Sequence, residues 1–228
     1  MDRSSGDLLD NGRVPQDRDD ETTREIGVGP WPGGEDAWPV GARYDPDLLR
    51  DGDRRNVTDE FRYWTVDAIV AELDSRRHPF HVAIENWGHD LNIGSVVRTA
   101  NAFNAAAVHI VGRRRWNRRG AMVTDRYQHV VHHPDVADLL AWAAGEGLRV
   151  IGIDNVPGSV AIERFTLPRE CMLLFGQEGA GLSDEAVAAC DVVLHITQFG
   201  STRSINAGAA GAIAMHAWVS QHAQIPEA

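Results

Sequence analysis

Three short stretches bring polar side chains to positions where chemistry is possible, each at a junction between an apolar run and a helical one. In "ENWGHDLNIGSVVRTANAFN" a strand ends and Asn92, Gly94 and Arg98 enter a helix, with Asn92 placed to cap it and Arg98 about one and a half turns further on. In "FGQEGAGLS" a strand ends in Gly176, Glu178, Gly179 and Gly181 before a helix capped by Ser183. Glycines there let the backbone approach a ligand, and free amides in such a loop grip a polar group. A plain tight turn uses the same residues. No Gly-Lys-Ser/Thr follows and the glycine spacing is not that of the dinucleotide fingerprint, so neither common phosphate-binding loop is present. In "ITQFGSTRSINAGAAGAIAMHAW" Ser204 and Asn206 stand beside Arg203 at the mouth of a helix that continues with Gly208, Gly211 and a series of alanines. Small residues serve close packing. The polar mouth needs another reason, and free backbone amides beside polar side chains suit a bound ligand.

These junctions require a particular scaffold. "HVAIEN", "AVHIVG", "LRVIGIDN", "CMLLFG" and "VVLHIT" read as buried strands, and "IGSVVRTANAFN", "DVADLLAWAAGEG" and "SDEAVAAC" as the helices between them. Continuous apolar strands alternating with helices predict an α/β fold, a mostly parallel sheet covered by helices on both faces. Ligands in such sheets sit beyond the carboxyl ends of the strands, where the three polar stretches fall. A helix behind Thr65, with Val66, Ile69, Val70 and Leu73 at helical spacing, opens the regular part of the chain.

The formal charge of the 228 residues is −11, which at first argues against a nucleic-acid partner. Its distribution argues otherwise. Residues 1–60 hold sixteen acidic and eight basic side chains, and residues 61–228 seventeen and fourteen. The segment 1–60 is rich in Gly, Pro and Asp and predicts a disordered start followed by an extended arm docked through Trp31, Trp38 and Tyr44; residues 61–228 form the main domain. Residues 113–119 carry Arg113, Arg114, Arg115, Arg118 and Arg119 around Trp116. That pattern fits a solvated basic loop, and it also fits an RNA surface that tracks phosphates and stacks a base; beside the strand ends the second is favoured. His129, His132 and His133 lack a Cys or carboxylate to complete a metal set, so surface or packing roles are expected, with no metal. Cys171 and Cys190 lie in apolar stretches and read as buried reduced thiols. No apolar run of about eighteen residues is present, and a soluble, cytoplasmic protein is expected.

Taken together and in order, the three stretches resemble the signature motifs of the SpoU (TrmH-like) RNA ribose 2′-O-methyltransferases of the SPOUT superfamily, over roughly residues 80–220. The resemblance implies a deep C-terminal trefoil knot, a homodimer with sites near its interface, and S-adenosyl-L-methionine as methyl donor to a ribose 2′-hydroxyl of tRNA or rRNA. It assigns catalysis to Arg98, Asn92, Glu178, Ser204 and Asn206. It assigns cofactor contacts to Phe175, Gly176, Gln177, Gly179, Ile196, Gln198, Ser204, Ile205 and Ala207. Arg98 is implied as proton acceptor or as phosphate clamp, and the chemistry of an arginine favours the clamp. Thr197-Gln198 departs from the Pro-Met common in the family, at a place that shapes the cofactor pocket. Two other readings stay open: a base-methylating enzyme of the same superfamily, and a non-catalytic RNA-binding or assembly factor on the same fold.

Overall fold

Among the described residues seven strands, all parallel, pair in the order β3-β2-β1-β6-β4-β7-β5. They are β1 (Phe80–Asn86), β2 (Val108–Gly112), β3 (Val130–His133), β4 (Arg149–Ile153), β5 (Val160–Ala161), β6 (Cys171–Phe175) and β7 (Val192–His195). The computed structural model describes residues 27–88 and 92–225. The disordered start expected at the N-terminus lies outside these residues.

Alternation along the strands builds two cores. Phe80, Val82, Ile84, Ile110, Leu173 and Phe175 face one way and meet α3 (Ile93–Ala102) and α6 (Ala207–His222). Ala83, Val111, Met172 and Leu174 face the other and meet α4 (Val136–Gly145) and α5 (Asp184–Ala189). Both faces of β6 are therefore covered, which is why "CMLLF" has no polar alternation. Trp218 anchors α6: it is fully buried, its ring centroid lies 4.4 Å from that of Phe80, and its indole N–H donates to the carbonyls of Pro168 and Arg169 at 3.1 Å. Burying an aromatic of this size contributes about 3 kcal/mol, enough to hold a helix with little amphipathic character of its own.

Two strands escape sequence reading, β3 and β5, and both are sheet edges. β3 leaves Val130 and Val131 exposed but buries His133, because the inward face of the sheet here carries a line of imidazoles. His81 Nδ1 meets His109 Nε2 at 3.0 Å, His109 Nδ1 meets His133 Nε2 at 2.8 Å, and His133 Nδ1 meets the Asp138 carboxylate at 2.8 Å. A carboxylate only accepts, so His133 donates to Asp138 through Nδ1, and burial disfavours the charged form of His81 and His109 behind it. His133 is thus a packing residue, while His129 is exposed beside Asp74 and His132 meets the Gly112 carbonyl at 2.8 Å.

Ahead of the sheet, residues 27–64 form a small unit packed around aromatic side chains. α1 (Pro46–Asp51) starts with Pro46 behind the capping carboxylate of Asp45. Trp31 meets Tyr63 and Tyr44 edge-on, and the Tyr63 hydroxyl donates to Gly29 O at 2.6 Å. Asp53, fully buried, accepts from the Tyr63 amide at 3.0 Å and from the Arg55 guanidinium at 2.7 Å. Burial opposes its charge, but Arg55 and the two amides outweigh it and hold the carboxyl at about 2. Phe61 carries this unit onto α2 (Val66–Asp74) through Ile69 and Tyr127.

Candidate active site

Parallel strands end on one edge, so the carboxyl ends of β1, β4, β6 and β7 open side by side, and the three polar stretches meet there. The loop after β6 is shaped by its glycines. A Cβ on Gly176 would stand 1.9 Å from the Gly181 carbonyl carbon, and only glycine permits that approach. Gln177 and Gly181 exchange backbone hydrogen bonds at 3.1 and 3.0 Å, with Gly179 and Gly181 at φ of +88° and +71°. Two carboxylates fix its far end: Asp154 accepts from the Leu182 amide at 2.7 Å, and the buried Glu85 accepts from the Ser183 amide at 2.8 Å. Ser183 caps α5 as expected.

Beneath this loop lies a cavity of about 410 Å³. Every residue expected to touch a cofactor lines it: Phe175, Gly176, Gln177, Gly179, Ile196, Gln198, Ser204, Ile205 and Ala207. Ile153–Val156, at the end of β4, also line it and were not among the residues expected from sequence; the rule that ligands lie beyond strand ends would have included them. This stretch holds the neighbouring loop too, since Asn155 Nδ2 donates to the Arg203 carbonyl at 3.2 Å. Thr197, where the family commonly has proline, is pinned instead by Glu163, which accepts from its amide at 3.0 Å and its hydroxyl at 2.9 Å. Gln198 also lines the cavity, and its buried Oε1 has no hydrogen-bond partner among the described residues.

One polar relay joins the three stretches at the rim. Asn92 occupies the N-cap position of α3 in helical conformation, yet its side chain makes no capping bond there. Its amide nitrogen donates to Glu178, and its Oδ1 accepts from Asn206 Nδ2 at 2.9 Å. The capping role expected of Asn92 is thus replaced by a cross-link. Asn206 in turn caps α6, its Oδ1 accepting from the amides of Gly208 and Ala209 at 3.0 and 3.2 Å. Gly208 and Gly211 explain the small cross-section of α6: Cβ atoms there would come within 3.3 Å of Ser95 and Val96 on α3. Ser204 and Glu178 are exposed at the rim, and Arg98, also exposed, makes no hydrogen bond or ion pair to a described residue.

The arginine loop lies against the same helix. Gly94 and Gly120 bring the 3-10 turn Arg118–Ala121 onto the start of α3, where a Cβ on Gly94 would stand 2.7 Å from the Ala121 amide. Asn86, at the end of β1, donates to the carbonyls of Arg113 and Arg115 at 2.6 and 2.9 Å, which leaves all five arginine side chains of residues 113–119 exposed. Trp116 packs half-buried on the core beneath Arg118, 5.5 Å away. Neither cysteine is poised for chemistry, since burial pushes Cys171 up to about 12 and Cys190 up to about 11. Among the described residues no group of three or more His, Cys, Asp or Glu is placed to hold a metal ion.

The model of the SpoU rRNA Methylase family matches residues 79–216. Over 153 residues the chain is 27% identical to the tRNA (guanosine(18)-2'-O)-methyltransferase of Escherichia coli strain K12, covering 65% of this chain and 67% of that one. It is 29% identical over 163 residues to an uncharacterized tRNA/rRNA methyltransferase of Mycolicibacterium vanbaalenii, covering 68% of this chain and about half (51%) of the relative. Its fold is similar to the SpoU methyltransferase AviRb from Streptomyces viridochromogenes in complex with AdoMet, at TM-score 0.58 and 24% identity over 66% of this chain and 63% of that one. It is also similar to a structure describing 2-OH methylation of C/U34 on tRNA, at TM-score 0.57 and 25% identity over 63% of this chain and 96% of that one.

Proposed function

The chain belongs to the SpoU rRNA methylase family, and we propose that it transfers a methyl group from S-adenosyl-L-methionine to a ribose 2′-hydroxyl of tRNA or rRNA. The observation that carries this reading is the Glu178–Asn92–Asn206 relay, which locks the three polar stretches together at the rim of a ligand-sized cavity. The cavity suits the cofactor: apolar walls at Phe175, Ile196 and Ile205 accompany a glycine-lined backbone. When bound, S-adenosyl-L-methionine supplies an activated methyl on a cationic sulfur, so the protein's part is placement. Glu178, Asn92 and Asn206 hold the rim in one geometry, and Ser204 at the same rim serves the reacting ribose. The exposed Arg98 guanidinium offers five N–H donors and no acceptor, which suits a clamp on the RNA phosphate. Arg113, Arg114, Arg115, Arg118 and Arg119 extend that cationic surface.

The same proposal includes a homodimer and the C-terminal knot. Support for the dimer comes from an uncharged outward face of α6, with Ile213 43% exposed, and from Phe199, 96% exposed at the cavity's edge. Among the described residues no helix is long and apolar enough to cross a membrane; a cytoplasmic place of action completes the reading. The test is transfer of labelled methyl from S-adenosyl-L-methionine to RNA from cells lacking the gene, followed by mapping of alkali-resistant linkages. A labelled 2′-O-methyl nucleoside is expected. Label on a base nitrogen would identify a base-methylating enzyme, and cofactor or RNA binding without transfer a non-catalytic factor.

A further inference from the structure

Trp87 is a partly exposed aromatic held with unusual completeness. It follows the end of β1, and 36% of its surface is open to solvent. Its indole N–H donates to the buried Glu85 Oε1 at 2.9 Å, and the other oxygen of that carboxylate is taken by the Ser183 amide. Its backbone N–H donates to Gln177 Oε1 at 3.1 Å. Its ring lies so close over Gly112, at φ +99°, that a Cβ there would come within 2.6 Å of it. A tryptophan needed only for packing would be buried; this one is clamped by one edge and left open.

Its position gives the clamp a purpose. Gln177, on one side, lines the cofactor cavity. Gly112, on the other, leads directly into Arg113, whose amide donates to the Asn86 carbonyl at 3.0 Å. Trp87 therefore stands between the cavity and the exposed arginines, while Trp116, inside the arginine loop, is engaged with the core and Arg118. We propose that Trp87 is the stacking platform for a nucleobase of the bound RNA, fixing the base beside the reacting ribose while the arginines hold the flanking phosphates. This rests on the RNA methyltransferase reading above. Every base has a π-face, so a fixed indole contributes affinity with little sequence preference, and it restricts where the adjoining sugar can lie.

The experiment compares full-length Trp87→Leu and Trp87→Phe with wild type, using whichever fraction of RNA from cells lacking the gene accepts methyl groups from the wild-type protein. Trp87→Leu should raise the RNA dissociation constant and the KM for RNA roughly tenfold, while Trp87→Phe stays within about threefold of wild type. The affinity for S-adenosyl-L-methionine and the slope of RNA binding against salt should not change, because stacking displaces no counterions. Ultraviolet cross-linking should join a nucleobase to Trp87. The proposal is overturned if the leucine variant binds RNA as wild type does, or if no adduct forms at Trp87 when neighbouring residues give them. It is equally overturned if phenylalanine loses as much as leucine, which would assign the residue to the Glu85 hydrogen bond, or if leucine changes the oligomeric state, which would assign it to a second copy. Should the leucine variant not fold, the phenylalanine variant and the cross-link decide. A wild-type protein that transfers no methyl would remove the functional reading itself; an active wild type with an indifferent leucine variant removes only the stacking role.

Discussion

Asn206 performs two tasks with one amide group, and the two can be separated. Its oxygen caps α6, and its nitrogen ties that helix to Asn92. Asn206→Ala removes both, and should lower unfolding free energy by about 1 kcal/mol, the ordinary cost of a lost cap, together with methyl transfer. Asn206→Asp keeps the cap acceptor and replaces the donor by a charged acceptor facing Asn92 Oδ1, so it breaks the relay. Urea denaturation should then show near-wild-type stability, with transfer still strongly reduced; a fully active aspartate variant would mean the relay has no part in catalysis. Arg98 divides in a similar way. As a phosphate clamp, it should leave Arg98→Lys with part of its single-turnover rate and weaker RNA binding, because a point charge replaces a planar fork. If Arg98 takes the proton, the lysine variant's rate should instead rise with pH through a depressed lysine pKa. Arg98→Ala should abolish transfer and still bind the cofactor.

Among the elements, the arginine loop makes the sharpest test of the RNA surface. Replacing Arg113, Arg114 and Arg115 with alanine should weaken RNA binding and flatten its log–log salt dependence by about 2 to 3, leaving cofactor affinity unchanged. An unaltered slope would make these three solvated surface charges. The loop, the five inner strands and the helices over residues 93–104, 135–147 and 183–190 were legible because each repeats one signal: continuous apolar runs, caps, or clustered charge. β3 and β5 were not, since edge strands are short and half-exposed, and β3 hides its inward residue behind the polar name of histidine. The residues lining the cavity were legible only through the resemblance, and the stretch Ile153–Val156 fell outside it because Asp154 and Asn155 bond to the loops at Leu182 and Arg203, contacts that no local pattern announces. The relay itself was invisible. Asn92, Glu178 and Asn206 are 86 and 114 positions apart in pairs, and a good helix-capping residue gives no sign that its side chain is engaged elsewhere.

For the molecule as a whole, the imidazole line sets the acid limit. Burial pushes His109 down to about 3 and His81 down to about 4, whereas the unfolded chain protonates them near 6.5. The unfolded state therefore binds more protons as pH drops below 6.5, and stability is lost through the range from 6.5 toward 4, by about 1.4 kcal/mol per pH unit for each histidine. Asp53, held at about 2, keeps its contribution until pH falls below the ordinary carboxylate range, and then adds to the loss. Urea midpoints measured from pH 8 down to pH 5 should be level above 7 and fall steadily below 6.5. A midpoint that does not change with pH would contradict neutral histidines in the folded protein.

The closure of the relay by Asn206 also fixes when the protein becomes competent during its own synthesis. Translation lays down all seven strands by residue 195, yet the last member of the relay and the mouth of α6 arrive only with residues 204–210, a delay of about a second at ordinary elongation rates. A ribosome arrested just after residue 200 would carry a chain that has every strand of the described sheet and no means of closing over S-adenosyl-L-methionine. Capture of labelled cofactor by stalled nascent chains should be absent at that length and appear once the chain extends through α6 and is released, so that an unfinished copy never meets RNA as an active enzyme.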